Sequence, residues 1–320
     1  MAAMVFLTIG TGYVQAQDKT SDSASELPKV YLIKEITPEN LVKIYEALGR
    51  KAEGKVAVKL STGEPGGHNF LQPTLIAPLV RKMNGTIVEC NTAYGGGRAN
   101  TEAHLKAAAD HGFTAIAKVD IMDADGEVSL PVKGGKHLKE DFVGKNYLNY
   151  DFTVVLSHFK GHAMGGFGGA IKNIGMGCGS RAGKMAQHNS GKPVIETDLC
   201  RGCKRCAKEC GSDAITYPEK KAVIDYDKCK GCGRCIGACS FDAIHNPHSN
   251  SNELLCRKMT EYAQAVCHGR PCFHIALVQD ISPNCDCHGE NDAPILPDIG
   301  MFASFDPIAL DQACVDACLA

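Results

Sequence analysis

The sequence predicts an α/β fold, a mainly parallel sheet with flanking helices, interrupted by a small α+β module rich in cysteine. Three observations carry that prediction. Between Val30 and Phe159, short β-branched runs alternate with amphipathic helical stretches. Eight cysteines then fall within 40 residues, from Cys200 to Cys239. After them the alternation of helix and strand resumes and continues to the end of the chain.

Pro38–Arg50 reads as a helix, because Leu41, Ile44, Tyr45 and Leu48 recur at helical spacing on one face. Val56–Leu60 is a short β-rich run, and Pro73–Met83 is a helix that Asn84-Gly85 ends. Thr86–Cys90 reads as a strand, and Thr101–His111 as a helix with Gly112 just past its end. Ala115–Ile121 and Phe152–Leu156 are further apolar, β-branched runs. Strands separated by helices of this length imply βαβ units. Gly161–Gly183 is glycine-rich and reads as a loop. Beyond the cysteines, Glu253–His268 and Pro307–Leu319 read as helices, and Phe273–Val278 and Ile299–Ser304 as strands. The expected organisation is a signal-like or disordered segment over 1–29, an α/β domain over 30–196 and 247–320, and an inserted module over 197–246. The last helix reaches the end of the sequence without a cap or stop signal, the pattern of a domain cut short there.

Composition bounds the function. A chain of 320 residues with 44% hydrophobic and 22% charged residues is globular, and its net charge of −2 supplies no field for nucleic acid. Seventeen cysteines, an odd number, make a poor disulfide framework and point to thiolate ligands in a reducing setting. Met1–Gly10 is largely apolar and Val14-Gln15-Ala16 resembles a cleavage site, but no Lys or Arg precedes the apolar stretch. Both a cytoplasmic and an exported location therefore stay open. No segment reaches the roughly 20 apolar residues of a transmembrane helix.

The cysteines are duplicated. Cys200, Cys203, Cys206 and Cys210 repeat in spacing as Cys229, Cys232, Cys235 and Cys239, and each half ends in Asp-Ala-Ile, at 213–215 and 242–244. Three cysteines at i, i+3 and i+6 on a tight loop reach three corners of a cuboidal cluster, and the fourth ligates the other cluster. One 4Fe–4S cluster would take Cys200, Cys203, Cys206 and Cys239, the second Cys229, Cys232, Cys235 and Cys210. A pair of zinc sites is the alternative, but zinc ligands usually come as pairs a longer stretch apart. Nine Lys and Arg oppose five Asp and Glu across this segment, an excess that offsets the charge of the ligated cores. Where the bacterial pattern has proline after the fourth cysteine, Gly211 and Ser240 stand instead.

Leu156-Ser157-His158-Phe159-Lys160-Gly161-His162, the run from Gly165 to Gly175, Gly177-Cys178-Gly179 and Ala303–Asp311 together resemble the iron–sulfur proteins of domain-of-unknown-function family 362. The resemblance covers Val30 to the C-terminus. It implies an α/β domain interrupted by a two-cluster ferredoxin-like module, and it assigns no reaction.

Outside the repeat, His158, Lys160 and His162 follow an apolar strand, the edge where α/β proteins place chemistry, and are candidate catalytic residues. Gly166, Gly168 and Gly169, and separately Gly95, Gly96 and Gly97, are candidate anion or cofactor loops, a flavin among the candidates. Close-packed turns are the bland alternative. Cys285 and Cys287, with Cys178, are candidates for a third metal site, and all three are expected beside His158 and His162. Cys314 and Cys318 read as packing residues. The leading reading is a redox protein whose clusters relay electrons to or from a site on the α/β domain, with a redox protein or small molecule as partner. The alternative is an electron carrier or metal-handling protein whose α/β domain docks a partner.

Overall fold

A computed structural model describes residues 3–6, 27–93, 96–188, 192–229, 234–245, 250–289 and 292–320. In chain order the strands are β1 (Ala3–Phe6), β2 (Lys29–Ile33), β3 (Val56–Lys59), β4 (Thr86–Glu89), β5 (Val119–Ile121), β6 (Glu127–Pro131), β7 (Glu140–Gly144), β8 (Phe152–His158), β9 (Lys160–His162), β10 (Gly166–Gly168), β11 (Val194–Ile195), β12 (Ile215–Thr216), β13 (Val223–Ile224), β14 (Ile244–His245), β15 (Cys272–Val278) and β16 (Gly300–Ser304). The helices are α1 (Pro38–Ala47), α2 (Pro73–Lys82), α3 (Thr101–Asp110), α4 (Ala170–Cys178), α5 (Arg181–His188), α6 (Arg205–Lys208), α7 (Arg234–Gly237), α8 (Asn250–Cys267) and α9 (Pro307–Leu319).

The main sheet runs β1-β2-β16-β15-β8-β3-β4-β5. All its pairs are parallel except those of β16, which is antiparallel to both β15 and β2. β3 and β8 are buried at every position, as strands covered on both faces must be, and their apolar runs supply the side chains for it. One face packs on α1 and α2 through Leu41, Ile44, Ile76 and Leu79. The other packs on α4, α8 and α9 through Ile174, Ala263, Val266, Leu310 and Cys314. Asn100 and Asp306 cap α3 and α9, accepting backbone N–H bonds in the first turn.

From β3 the chain steps outward to β4 and β5, then returns to β8 on the other side of β3. The strand order therefore reverses between β3 and β8. Ligands of open α/β sheets bind in the crevice beyond the carboxyl ends at such a point.

Two expectations are corrected. Over 115–121 only Val119–Ile121 is a strand, Phe113–Ala115 forming a single 3₁₀ turn. The glycine-rich run 161–183 is largely ordered structure, the hairpin β9–β10 followed by α4 and the start of α5. Its glycines permit close packing: a Cβ at Gly175 would lie 2.1 Å from the Met259 carbonyl oxygen of α8.

The segment 194–245 has its own small apolar cluster, of Cys200, Cys206, Ile215, Ala222, Ile224, Cys235, Ala243 and Ile244. Two short antiparallel pairs frame it, β11 with β14 and β12 with β13. A short helix, α6 or α7, follows the first cysteines of each run.

Candidate functional site

Beyond the carboxyl ends of β3, β4 and β8 lies a cleft of about 1050 Å³, open space at its mouth included. β3 contributes Lys59, β4 Glu89, β8 His158, and the β9–β10 hairpin Lys160, His162 and Gly168. Lys172 and Asn173 of α4, Lys184 and His188 of α5, and Cys285, Cys287 and His288 add to its polar lining. Met164, Leu255 and Met259 form an apolar wall.

The cleft is basic. Lys59, Arg98, Lys160, Lys172 and Lys184 line it against one carboxylate, Glu89. Glu89 is already committed: it accepts from Thr62 at 2.6 Å, and Arg98 and His104 stand at 3.4 and 2.8 Å. Burial works against its charged form, but Arg98 and His104 outweigh it and hold the carboxyl well below the usual range. Lys59 Nζ donates to the Leu60 carbonyl at 2.7 Å and to Asn173 Oδ1 at 2.9 Å. Burial lowers its pKa. Lys184 Nζ donates to the Gly179 carbonyl at 2.6 Å. Among the described residues, no carboxylate lies within ion-pair distance of Lys59, Lys172 or Lys184. Asn173 anchors α4 over the strand ends, its Nδ2 donating to the Lys59 and Leu156 carbonyls at 3.0 and 3.1 Å.

His158, Lys160 and Asp286 form a buried triad. His158 Nδ1 lies 2.9 Å from Asp286 Oδ1 and its Nε2 2.8 Å from the Gln279 carbonyl oxygen. Lys160 Nζ is 2.8 Å from Asp286 Oδ2. Burial alone would raise Asp286, but His158 and Lys160 beside it hold it well below the ordinary carboxylate range. Both nitrogens of His158 are thus engaged. It positions the Cys285–His288 loop, and neither a metal nor a substrate can be its partner without breaking these bonds.

His162 is different. Its Nδ1 accepts from the backbone N–H of Gly165 at 2.8 Å, which leaves the proton on Nε2. Burial, with Lys172 adding, pushes the ring down to about 3, so it is a neutral donor at physiological pH. Burial likewise pushes His188 down to about 3, and its Nδ1 finds no partner among the described residues.

Lys172 Nζ donates to Cys285 Sγ at 2.6 Å and reaches Cys287 Sγ at 4.0 Å. Burial disfavours the ammonium, but the two sulfurs beside it raise the lysine above its ordinary value. The Cys287 contact, with burial, pushes the Cys285 thiol up to about 11, and Lys172 pulls against that.

The expected convergence is therefore met by His158, His162, Cys285 and Cys287, which share the cleft. Cys178 does not join them. Its side chain packs in the apolar layer under α4, and its carbonyl oxygen accepts from the Cys90 thiol at 3.3 Å. The Cys178–Cys285–Cys287 metal set is corrected on that ground, and because an ammonium already occupies the position beside Cys285. Gly168 and Gly169 line the cleft, and a Cβ at Gly169 would meet Asp311 Oδ1 at 2.2 Å. Gly166 is exposed on β10. Of the second glycine run, Gly95 lies outside the described residues. Gly97 donates its N–H to Glu64 at 2.5 Å, so this loop binds the protein's own carboxylate. Lys59, Lys172, Lys184 and His188 carried no expectation as site residues.

In the cysteine module, backbone N–H groups of Gly202 and Ala222 donate to Cys200 Sγ, both at 3.4 Å. Ala214 N–H donates to Cys210 Sγ at 3.3 Å. Cys206 is pushed up by burial, with Cys203 and Cys239 close enough to add to the effect. Cys232 lies outside the described residues. Among the described residues, one group of three ligand-type side chains has donor atoms within 4.8 Å of one another, Cys267, Cys272 and His274. No helix among the described residues is long and apolar enough to cross a membrane.

The chain belongs to the family described as domain of unknown function (DUF362), whose profile matches residues 56–316. No curated protein matches it. Among solved structures, it is similar to the lactate racemase apoprotein from Thermoanaerobacterium thermosaccharolyticum, with 15% identity over 78% of this chain and 50% of that one and a TM-score of 0.40. It is also similar to a protein from Thermotoga maritima, with 11% identity over 89% of this chain and 60% of that one and a TM-score of 0.44. The chain thus spans half to three-fifths of the length of these two proteins.

Proposed function

We propose that this is an iron–sulfur redox protein in which two 4Fe–4S clusters relay electrons to or from an anionic small molecule held in the basic cleft. The observation that carries the reading is the cleft itself, where Lys59 and Lys184 converge on carbonyl and amide oxygens with no carboxylate among the described residues within ion-pair distance. Buried charges are normally paired, so such a set is built for a negative ligand. A filled α/β body would have favoured a carrier that only docks a partner, and the cleft favours an enzyme.

The cysteine segment supports the other half. The clusters would supply single electrons. Cys200, Cys203, Cys206 and Cys239 would hold one and Cys229, Cys232, Cys235 and Cys210 the other. Backbone N–H groups aimed at Cys200 and Cys210 sulfurs are donors of the kind that tune such clusters. In the cleft, Lys59 and Lys184 would bind the anion and His162 would donate a proton from Nε2. Lys160 and His158 would hold the Cys285–His288 loop through Asp286.

The test is anaerobic reconstitution with iron and sulfide, followed by dithionite reduction. About eight irons per chain and paramagnetic reduced centres are expected. Fewer than about six irons, or no signal, removes the two-cluster reading. Reduced protein is then mixed with small carboxylates and oxyanions, and one of these should reoxidise the centres in the wild type but not in Lys59→Met. Analysis of cofactors released from the purified chain checks for a flavin.

A further inference from the structure

β15 runs parallel to β8, so its carboxyl end lies on the same sheet edge as the cleft, and it bears a second set of chemistry-bearing side chains at its start. Cys272 opens the strand, His274 follows on the same face, and Cys267 ends α8 just before the turn at Gly269. Six residues of strand, about 20 Å, separate this corner from the cleft edge. None of the three residues lines the cleft.

The donor atoms of Cys267, Cys272 and His274 lie within 4.8 Å of one another. His274 Nε2 is 3.8 Å from Cys272 Sγ, and its Nδ1 has no hydrogen-bond partner among the described residues. The ring is completely buried. Tetrahedral zinc at ordinary bond lengths needs about 3.8 Å between sulfurs and about 3.6 Å between sulfur and nitrogen. The corner is within a small side-chain adjustment of that spacing. Its donor set is two soft sulfurs and an imidazole with no oxygen, the choice that favours zinc over calcium or magnesium.

We propose that Cys267, Cys272 and His274 bind one zinc ion, independently of the cysteine repeat and of the cleft. The ion clamps the end of α8 to the start of β15. Both cysteines are partly exposed, so the fourth position opens to solvent or a small ligand. The rival chemistry is a disulfide: two thiols lose two electrons and two protons to an oxidant, and a Cys267–Cys272 bond forms in place of the site.

The test uses the full chain, reconstituted anaerobically, equilibrated with one equivalent of Zn²⁺ and desalted. Wild type should retain one zinc per chain, and Cys272→Ser and His274→Ala should each retain none while their iron content stays at the wild-type level. Because a buried substitution can impair folding, X-ray absorption at the zinc edge of the wild type gives a second reading. Two sulfurs near 2.3 Å and one nitrogen near 2.0 Å are expected. Zinc retained equally by the variants, or an all-sulfur shell from ions lodged in the repeat, overturns the proposal. So does a peptide spanning 267–272 that is 2 Da lighter in anaerobically prepared protein, the mark of a disulfide.

Discussion

Asp141 is completely buried in β7, and neither of its carboxyl oxygens meets a donor among the described residues. Burial pushes it up to about 8, with Lys184 pulling the other way. It is therefore protonated in the native protein at neutral pH and ionised in the unfolded chain. Between about pH 4 and 8 the folded state holds the extra proton, so this group's contribution to stability falls as pH rises. Asp141→Asn, neutral at every pH, should raise stability by about 5 kcal/mol more at pH 8 than at pH 4. Denaturant titrations at the two pH values check this, and an equal effect at both would contradict it. Asp286 has the opposite sign. Its folded pKa is depressed, so its contribution is present above the unfolded value near 4 and disappears as pH falls through the lower folded one. Asp286→Asn strands His158 and Lys160 and should cost about 3–5 kcal/mol, read as a lowered melting temperature. At Cys285 the ammonium of Lys172 favours the thiolate. Lys172→Gln should move the pH midpoint of its alkylation up by about one unit, followed by peptide mass spectrometry. Sequence reasoning reached His158, Lys160, His162, Cys285 and Cys287 because they cluster in two short stretches next to strands. It missed Lys59, Lys172 and Lys184, which are spread over 126 residues and meet only when the sheet assembles.

Most elements of the α/β body were legible from periodicity, and the reason is burial. α1 and α2 each turn one apolar face to the sheet, and β8 and β15 carry apolar runs because both of their faces are covered. The α4–α5 stretch was misread because its apolar signal is diluted by glycine, which ordinarily marks a turn. There glycine lets two backbones touch instead. Gly175→Ala is favoured by about 1 kcal/mol of helix propensity, yet it drives a methyl into the Met259 carbonyl. Overpacking of that kind should dominate and destabilise the protein by about 1–3 kcal/mol. Chemical denaturation of the variant distinguishes the two effects by sign. The β6–β7 hairpin was not read from the sequence, although Val128 and Leu130 of β6 alternate with the exposed Glu127 and Ser129 at the period of a half-buried strand.

At the scale of the whole molecule, two supports of different strength coexist. The sheet is covered on both faces by large apolar clusters. Among the described residues, the apolar cluster of the cysteine segment has eight buried members, three of them cysteines. So small a core rarely holds a fold alone, and metal is the usual supplement. With the proposed clusters reconstituted, stripping their iron with a chelator should therefore unfold 194–245 first and leave the body's circular dichroism largely intact. Limited proteolysis should then cut within 196–243 before it cuts anywhere in the sheet. Loss of all structure in one transition would show that the two parts stabilise each other.

The pairing of β11 with β14 has a consequence for how such a chain can be rearranged. Ile195 and Ile244 are direct partners across an antiparallel ladder, so the polypeptide departs and comes back at one doorway. Antiparallel neighbours of this kind can be joined by a two-residue turn. Replacing 196–243 with Asn-Gly would close the doorway as an ordinary hairpin, and the remaining chain should express as a soluble, folded, colourless protein. The excised stretch would then be a cassette, transferable to any host hairpin of matching register.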